Sequence, residues 1–333
     1  MKAFRIIVLT TLTLTNFVHF CAAQTSNNKL YTNLVMEGSG VKLFSYIGAL
    51  QVLDSAKHLS QIKNFGGTSG GCVMASLLCV GYTCTELDSI AYSVKVQTFA
   101  DAGKIYNSRI KRINKNFGFY KGDAFVKWME NLVAAKTGNA NITLLELHQL
   151  ALQGKAKDLF AVATDLSTQT CVVLSHRTFP NMRIVDAVRC SMSIPLAYKA
   201  VLIDKQGKTY SNIKDADSLH VLVDGGALHN YPIDMFDTIT PQAQTLGIMI
   251  ENDAYLGLNE RYVPITNFKT YTEALYHTTV EKPLTSEANR ARSIIITMRP
   301  ISARIKKIPK ESVQYMIQQG KLGAQNYLNS KQH

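Results

Sequence analysis

The sequence predicts an α/β fold, a mainly parallel sheet with helices on both faces. Three observations carry this. Short apolar runs of strand type alternate with longer segments of helical periodicity, the pattern of strands joined by crossover helices. Of 333 residues, 46% are hydrophobic and 18% charged, enough to build a substantial core and too apolar for a disordered chain. No internal repeat and no linker rich in Pro, Ser or Gly divides the chain, so residues 30–328 read as one domain.

In chain order, the first strand falls at residues 34–36 and a helical pattern at 44–54. A strand at 62–65 leads into a helix at 70–79, where Cys72 and Cys79, seven apart, share one buried face. Helical patterns follow at 122–137 and 143–150, strands at 159–163 and 171–175, and a helix at 186–192. Val221-Leu222-Val223 is a continuous apolar run of the kind buried on both faces. Strands at 245–250 and 294–297 and a closing helix at 311–328 complete the pattern.

Residues 1–23 read as a secretory signal peptide. Lys2 and Arg5 precede an apolar, threonine-rich run at 6–18, and Cys21 and Ala23 stand at the −3 and −1 positions of a cleavage site. The run falls short of the roughly 20 apolar residues of a comfortable span, and bulky Phe20 argues against a lipoprotein signal at Cys21. The expectation is an exported protein, periplasmic or extracellular, whose mature part is soluble or peripheral at a membrane. The other five cysteines fit neither a dense disulfide framework nor a CxxC metal pattern and read mainly as core residues.

Lys and Arg number 36 against 24 Asp and Glu. The excess gathers between Lys95 and Lys127, with Arg109, Lys111, Arg112 and Lys115, and again between Arg290 and Lys310, with Arg304, Lys306 and Lys307. Such clusters suit either an anionic lipid surface or a solvated face. No nucleic-acid-binding motif accompanies them, which excludes that class from the reading. The segment 83–116 adds Tyr92, Val96, Phe99, Ile105, Tyr106 and Ile110 at partly helical spacing, a stripe that reads as core packing or as a lid facing lipid.

The sharpest chemical signal is Gly67-Thr68-Ser69-Gly70-Gly71, a Gly-x-Ser-x-Gly pentapeptide between a strand and a helix. A nucleophilic serine on that turn needs small residues two positions away on each side, here Gly67 and Gly71, so that the backbones can pass closely. At a helix N-terminus its oxygen also feels the positive end of the helix dipole. Gly38-Ser39-Gly40, after the first strand, offers backbone N–H groups to an anion, and beside a serine nucleophile it reads as an oxyanion hole. Leu43 in the third glycine position argues against a dinucleotide fingerprint, and no Lys follows to make a Walker loop. A base is still needed. Asp224, emerging from a buried strand before Gly225-Gly226, is one candidate; His229 or His277 in a Ser–His–Asp triad is the other.

Together these segments resemble the patatin-like phospholipase family, whose order is a glycine-rich loop, Gly-x-Ser-x-Gly, then Asp-Gly-Gly/Ala. Tyr120-Lys121-Gly122-Asp123-Ala124, Ala163-Thr164-Asp165-Leu166, the block from Asp186 to Pro195 and the block from Asp224 to Pro232 are similar to family segments, so the likeness covers 33–328. The resemblance implies a three-layer α/β/α fold and a Ser–Asp dyad without histidine, with Ser69 as nucleophile, Asp224 as base and amides around Gly38, Ser39 and Gly40 as oxyanion donors. It implies an acyl hydrolase of the phospholipase A or lysophospholipase type, with phospholipid or lysophospholipid substrates, membranes as the surface it meets, and no cofactor or metal. Two positions depart from the family loop: Ser39 replaces a glycine, which strains the turn if its φ is positive, and Leu43 replaces the last glycine. A Ser–His–Asp esterase on soluble esters and an inactive lipid-binding homologue remain the alternatives.

Overall fold

The protein is described by a computed structural model over residues 31–102, 113, 117–211, 219–252, 265–266, 271, 274, 285–299, 301 and 307–331. The expected signal peptide lies outside these residues, as do Arg109, Lys111, Arg112, Lys115, Ile105, Tyr106, Ile110, His277, Arg304 and Lys306.

Strands β1 (Asn33–Met36), β2 (Asn64–Thr68), β3 (Gly118–Tyr120), β4 (Asp158–Asp165), β5 (Thr170–Leu174), β6 (Leu196–Tyr198), β7 (Val201–Ile203), β8 (Thr209–Tyr210), β9 (His220–Asp224), β10 (Thr245–Asn252) and β11 (Ser293–Met298) build two sheets. The main sheet runs β11-β10-β1-β2-β4-β9-β7-β8, with β5 also pairing β4; β3 and β6 form a separate ribbon. It is mixed: parallel from β11 through β4, antiparallel from β4 through β9, β7 and β8 and at β5. Helices α1 (Phe44–Ser55), α2 (Ser69–Cys79), α3 (Cys84–Ser93), α4 (Asp123–Thr137), α5 (Leu144–Leu152), α6 (Ile184–Ser191), α7 (Glu287–Ala291) and α8 (Lys310–Asn329) flank the sheet.

All four residues of β1 are buried, because both faces are covered. Alternation sends Leu34 and Met36 into the major core and Val35 to the other side, where it meets Phe160 and Phe236. Every residue of α2 is buried as well, which explains its uniformly small or apolar sequence. The elements that escape a sequence reading are α3, fixed by a Thr83–Glu86 capping box, the five-residue α7, and the two- or three-residue strands β3, β6, β7 and β8, too short to show a period. No described helix is long and apolar enough to cross a membrane.

Helices α1 and α8 pack backbone to backbone through glycines. A Cβ on Gly48 would lie 1.9 Å from Ile317 O, and one on Gly320 1.8 Å from Ser45 O. Both obstacles are main chain and cannot rotate away. Gly320→Ala is therefore expected to destabilise the fold by about 2–3 kcal/mol in urea unfolding, as overpacking does; an unchanged midpoint would show that the helix pair is not held this close.

Of the five described cysteines, Cys72, Cys79, Cys84 and Cys190 are buried. Cys171 departs from the core reading: it is exposed on β5, and all five are free thiols.

Candidate active site

Strand β2 ends at Thr68 and α2 begins at Ser69 with no connecting loop. This reversal forces Ser69 to φ +49°, a left-handed conformation that costs a non-glycine residue on the order of 1–2 kcal/mol. The flanking glycines permit it: a Cβ on Gly67 would meet Met36 O at 2.7 Å, and one on Gly71 would meet it at 2.3 Å. The Ser69 N–H donates to Ser191 Oγ (3.0 Å), whose own hydroxyl donates to Val162 O (2.6 Å). Ser191 thus ties the strained turn to β4. No sequence signal marked it, because a serine near a helix end is ordinary until its partners are known.

Topology brings the second residue in. Strands β2 and β9 lie on opposite sides of β4, with Thr68 beside Val162 and Asp224 beside Ala163. Ser69 and Asp224, on strands that run in opposite directions, therefore stand at neighbouring levels of β4 and meet over that one intervening strand. Asp224 is fully buried; Oδ1 accepts from the Gly226 N–H (2.8 Å) and the Asp224 N–H donates to Ser193 O (2.9 Å). Burial pushes its carboxyl up to about 7, while the Ser69 hydroxyl and the Gly226 N–H pull the other way. At rest Oδ2 lacks a fully formed hydrogen bond, yet the hydroxyl lies near enough to weigh on the carboxyl's proton affinity.

The small-residue loop rests against the residue after the serine. A Cβ on Gly70 would sit 2.7 Å from Gly40 O and 3.1 Å from Gly40 N. Of the three expected amide donors, Gly38 is corrected: its N–H is spent on Asn230 O (2.9 Å). The amides of Ser39 and Gly40 donate to no described residue. Ser39 has φ −140°, which serine adopts without strain, and Gly40 takes the positive angle (+52°). Leu43 is helical at φ −50°, so the family's last glycine is not needed there. Asn230 clamps the loop from below, donating to Gly38 O (3.0 Å) and Glu37 Oε1 (3.2 Å).

Ser69 opens into a cavity that is partly open to solvent. One wall is the face of α2 carrying Gly70, Val73, Met74 and Leu77, about 12 Å of helix. Phe99, Phe125 and Trp128, with ring centres 5.3–5.9 Å apart, form an aromatic wall, and Leu43 also lines the space. Tyr198 turns its hydroxyl to Phe99 O (3.3 Å), leaving the lining almost wholly apolar around Ser69. Val96 and Phe99, from the stripe in 83–116, belong to this wall and are buried, whereas Tyr92 is exposed. His229 turns to Asp234 (3.0 Å), and among the described histidines none bonds Ser69 or Asp224.

A layered α/β/α protein with a strained serine at a strand-to-helix turn, an aspartate over the next strand but one, and an apolar cavity beside them has the frame of a lipid hydrolase. Residues 34–237 match a model of the patatin-like phospholipase family, and the chain belongs to that family. It is 30% identical over 249 residues to protein R571 of Acanthamoeba polyphaga mimivirus, covering 73% of this chain and 74% of that one. It is 23% identical over 207 residues to the probable lipid hydrolase 463L of Invertebrate iridescent virus 6, covering 62% and 63% of the two chains. The fold is similar to the crystal structure of VipD from Legionella pneumophila, with a TM-score of 0.59 at 16% identity over 91% of this chain and 67% of that one.

Proposed function

We propose that the protein is a lipid acyl hydrolase of the phospholipase A or lysophospholipase type, working through Ser69 and Asp224. One observation carries the reading: a serine held at positive φ beside a buried carboxyl opens into an apolar cavity. Asp224 takes the proton as Ser69 Oγ attacks the ester carbonyl. The amides of Ser39 and Gly40 receive the developing oxyanion, each donor of this kind contributing about 3 kcal/mol. The departing lysolipid or glycerol oxygen takes the proton back. Water activated by the same carboxylate then hydrolyses the acyl-enzyme. Nucleophile, base and oxyanion donors are all protein groups, so the chemistry asks for no cofactor. Family membership and the lipid hydrolase relative support the substrate class. The charge and hydropathy of residues 1–23 support export, and the substrate's location makes a membrane surface the natural partner.

Fatty-acid release from mixed phospholipid vesicles tests the reading, with the wild type releasing fatty acid and Ser69→Ala not doing so. Equal release by both would remove Ser69 as the nucleophile, no release by either would leave the non-catalytic alternative, and loss of release on replacing His229 or His277 would hand the mechanism to the Ser–His–Asp triad. The cavity adds a second expectation. Val73→Trp fills the channel one helical turn from Ser69, so kcat/KM for long-chain esters should fall at least tenfold while short-chain esters keep most of theirs. A uniform fall across chain lengths would mean that the acyl group lies elsewhere.

A further inference from the structure

At the other end of β4 from the serine, three side chains from three elements converge. His148 comes from α5, Asp158 opens β4, and His176 follows β5; one ligand atom from each lies within 4.8 Å of the others. His148 Nδ1 is 2.8 and 3.1 Å from the two Asp158 oxygens. His176 Nδ1 stands 3.6 Å from Oδ1, beyond hydrogen-bond length, and the two rings stack at 3.8 Å with 8° between their planes. Two imidazoles thus compete for one carboxylate and only one of them bonds it. The main chain that carries this carboxylate is fixed on both sides: the Asp158 N–H donates to Lys63 O (3.0 Å), and Cys79 Sγ donates to Asp158 O (3.3 Å).

Two imidazole nitrogens and one carboxylate oxygen are the donor set of a zinc-type ion rather than of calcium or magnesium, which prefer all-oxygen shells. We propose that His148, Asp158 and His176 bind one divalent transition-metal ion, with water completing the shell, and that the ion pins α5 and the turn after β5 to β4. An ion must lie in the plane of each ring that ligates it, so the parallel stack has to open on binding. His176, carried by the turn, tilts, and His148 moves its proton from Nδ1 to Nε2 so that both Nδ1 lone pairs face the ion. Arg177, stacked over Phe160 at 5.6 Å, places an opposing positive charge nearby. The affinity is therefore expected to fall below that of a closed four-ligand structural site.

The test takes the full chain without an affinity tag, strips it with chelator and titrates it with zinc chloride at pH 7.5. One equivalent should bind and raise the melting temperature by a few degrees at saturation, in the manner of any ligand that binds only the folded state. His148→Asn and His176→Asn should each weaken binding at least tenfold, while Cys171→Ser, which removes the exposed thiol, leaves it unchanged. Melting each variant in chelator shows that it folds without the ion. If a variant does not, the cobalt(II) spectrum of the wild type decides: a nitrogen–oxygen site gives visible d–d bands without thiolate charge transfer. Absence of stoichiometric binding, binding indifferent to both histidine substitutions, or a thiolate spectrum would overturn the proposal. Fatty-acid release by the stripped protein is expected to continue, so this outcome and that of the hydrolase test are separable.

Discussion

Ser69→Ala is expected to lower fatty-acid release roughly 10⁴-fold or more, and Asp224→Asn to come close to it, because a nucleophile and its base fail as a unit. The base adds a pH signature. Its carboxyl, raised by burial to about 7, must be ionised to accept the serine proton, so kcat/KM should climb with pH through about 7 and level off above. Stability runs the opposite way. Between the ordinary carboxyl value near 3.8 and about 7, the folded protein holds a proton that the unfolded chain has released, so stability present at low pH is lost as pH rises through that window. The full cost above pH 7 is on the order of 4 kcal/mol. Asp224→Asn removes the titrating group, so relative to wild type its melting temperature should improve from pH 5 to pH 8 while activity is gone at both. A melting difference that ignores pH, together with a flat activity profile, would show that Asp224 is neither perturbed nor the base.

Gly71→Ala is expected to cost more than 100-fold in kcat and about 2–3 kcal/mol in stability. The new Cβ would stand 2.3 Å from Met36 O and 2.5 Å from Glu37 O, both main chain. To admit it, α2 and the end of β1 must separate, which moves the Ser69 turn away from the Ser39–Gly40 amides. A control separates misalignment from simple destabilisation. Gly81, at φ +95°, has nothing within 4 Å of its would-be Cβ, so Gly81→Ala should lose about 1 kcal/mol from backbone strain and keep its kcat. Were Gly71→Ala to keep its activity, the close passage of helix and strand would not be what aligns the site.

Much of this was readable in the linear pattern. Ser69, its glycines and Asp224 stand in short local signatures whose chemistry constrains nearest neighbours, and the long elements other than α3 announced themselves by a period or a continuous apolar run. The alternation of strand and helix fixed the α/β class for the same reason: a repeating pattern of burial is a property of consecutive residues. Other features depend on contacts between distant segments and leave no local trace. Which edge of β4 each partner strand takes, and hence that Ser69 and Asp224 meet over it, follows from pairing. That the Gly38 amide is consumed by Asn230, that Ser191 braces the turn, and that half the sheet runs antiparallel are likewise decided only when the chain closes on itself. The cavity is the clearest case: Phe99 reads as core packing or as a lid, Leu77, Phe125 and Trp128 carry no local signal of their own, and only packing shows that together they leave a space beside Ser69 unfilled.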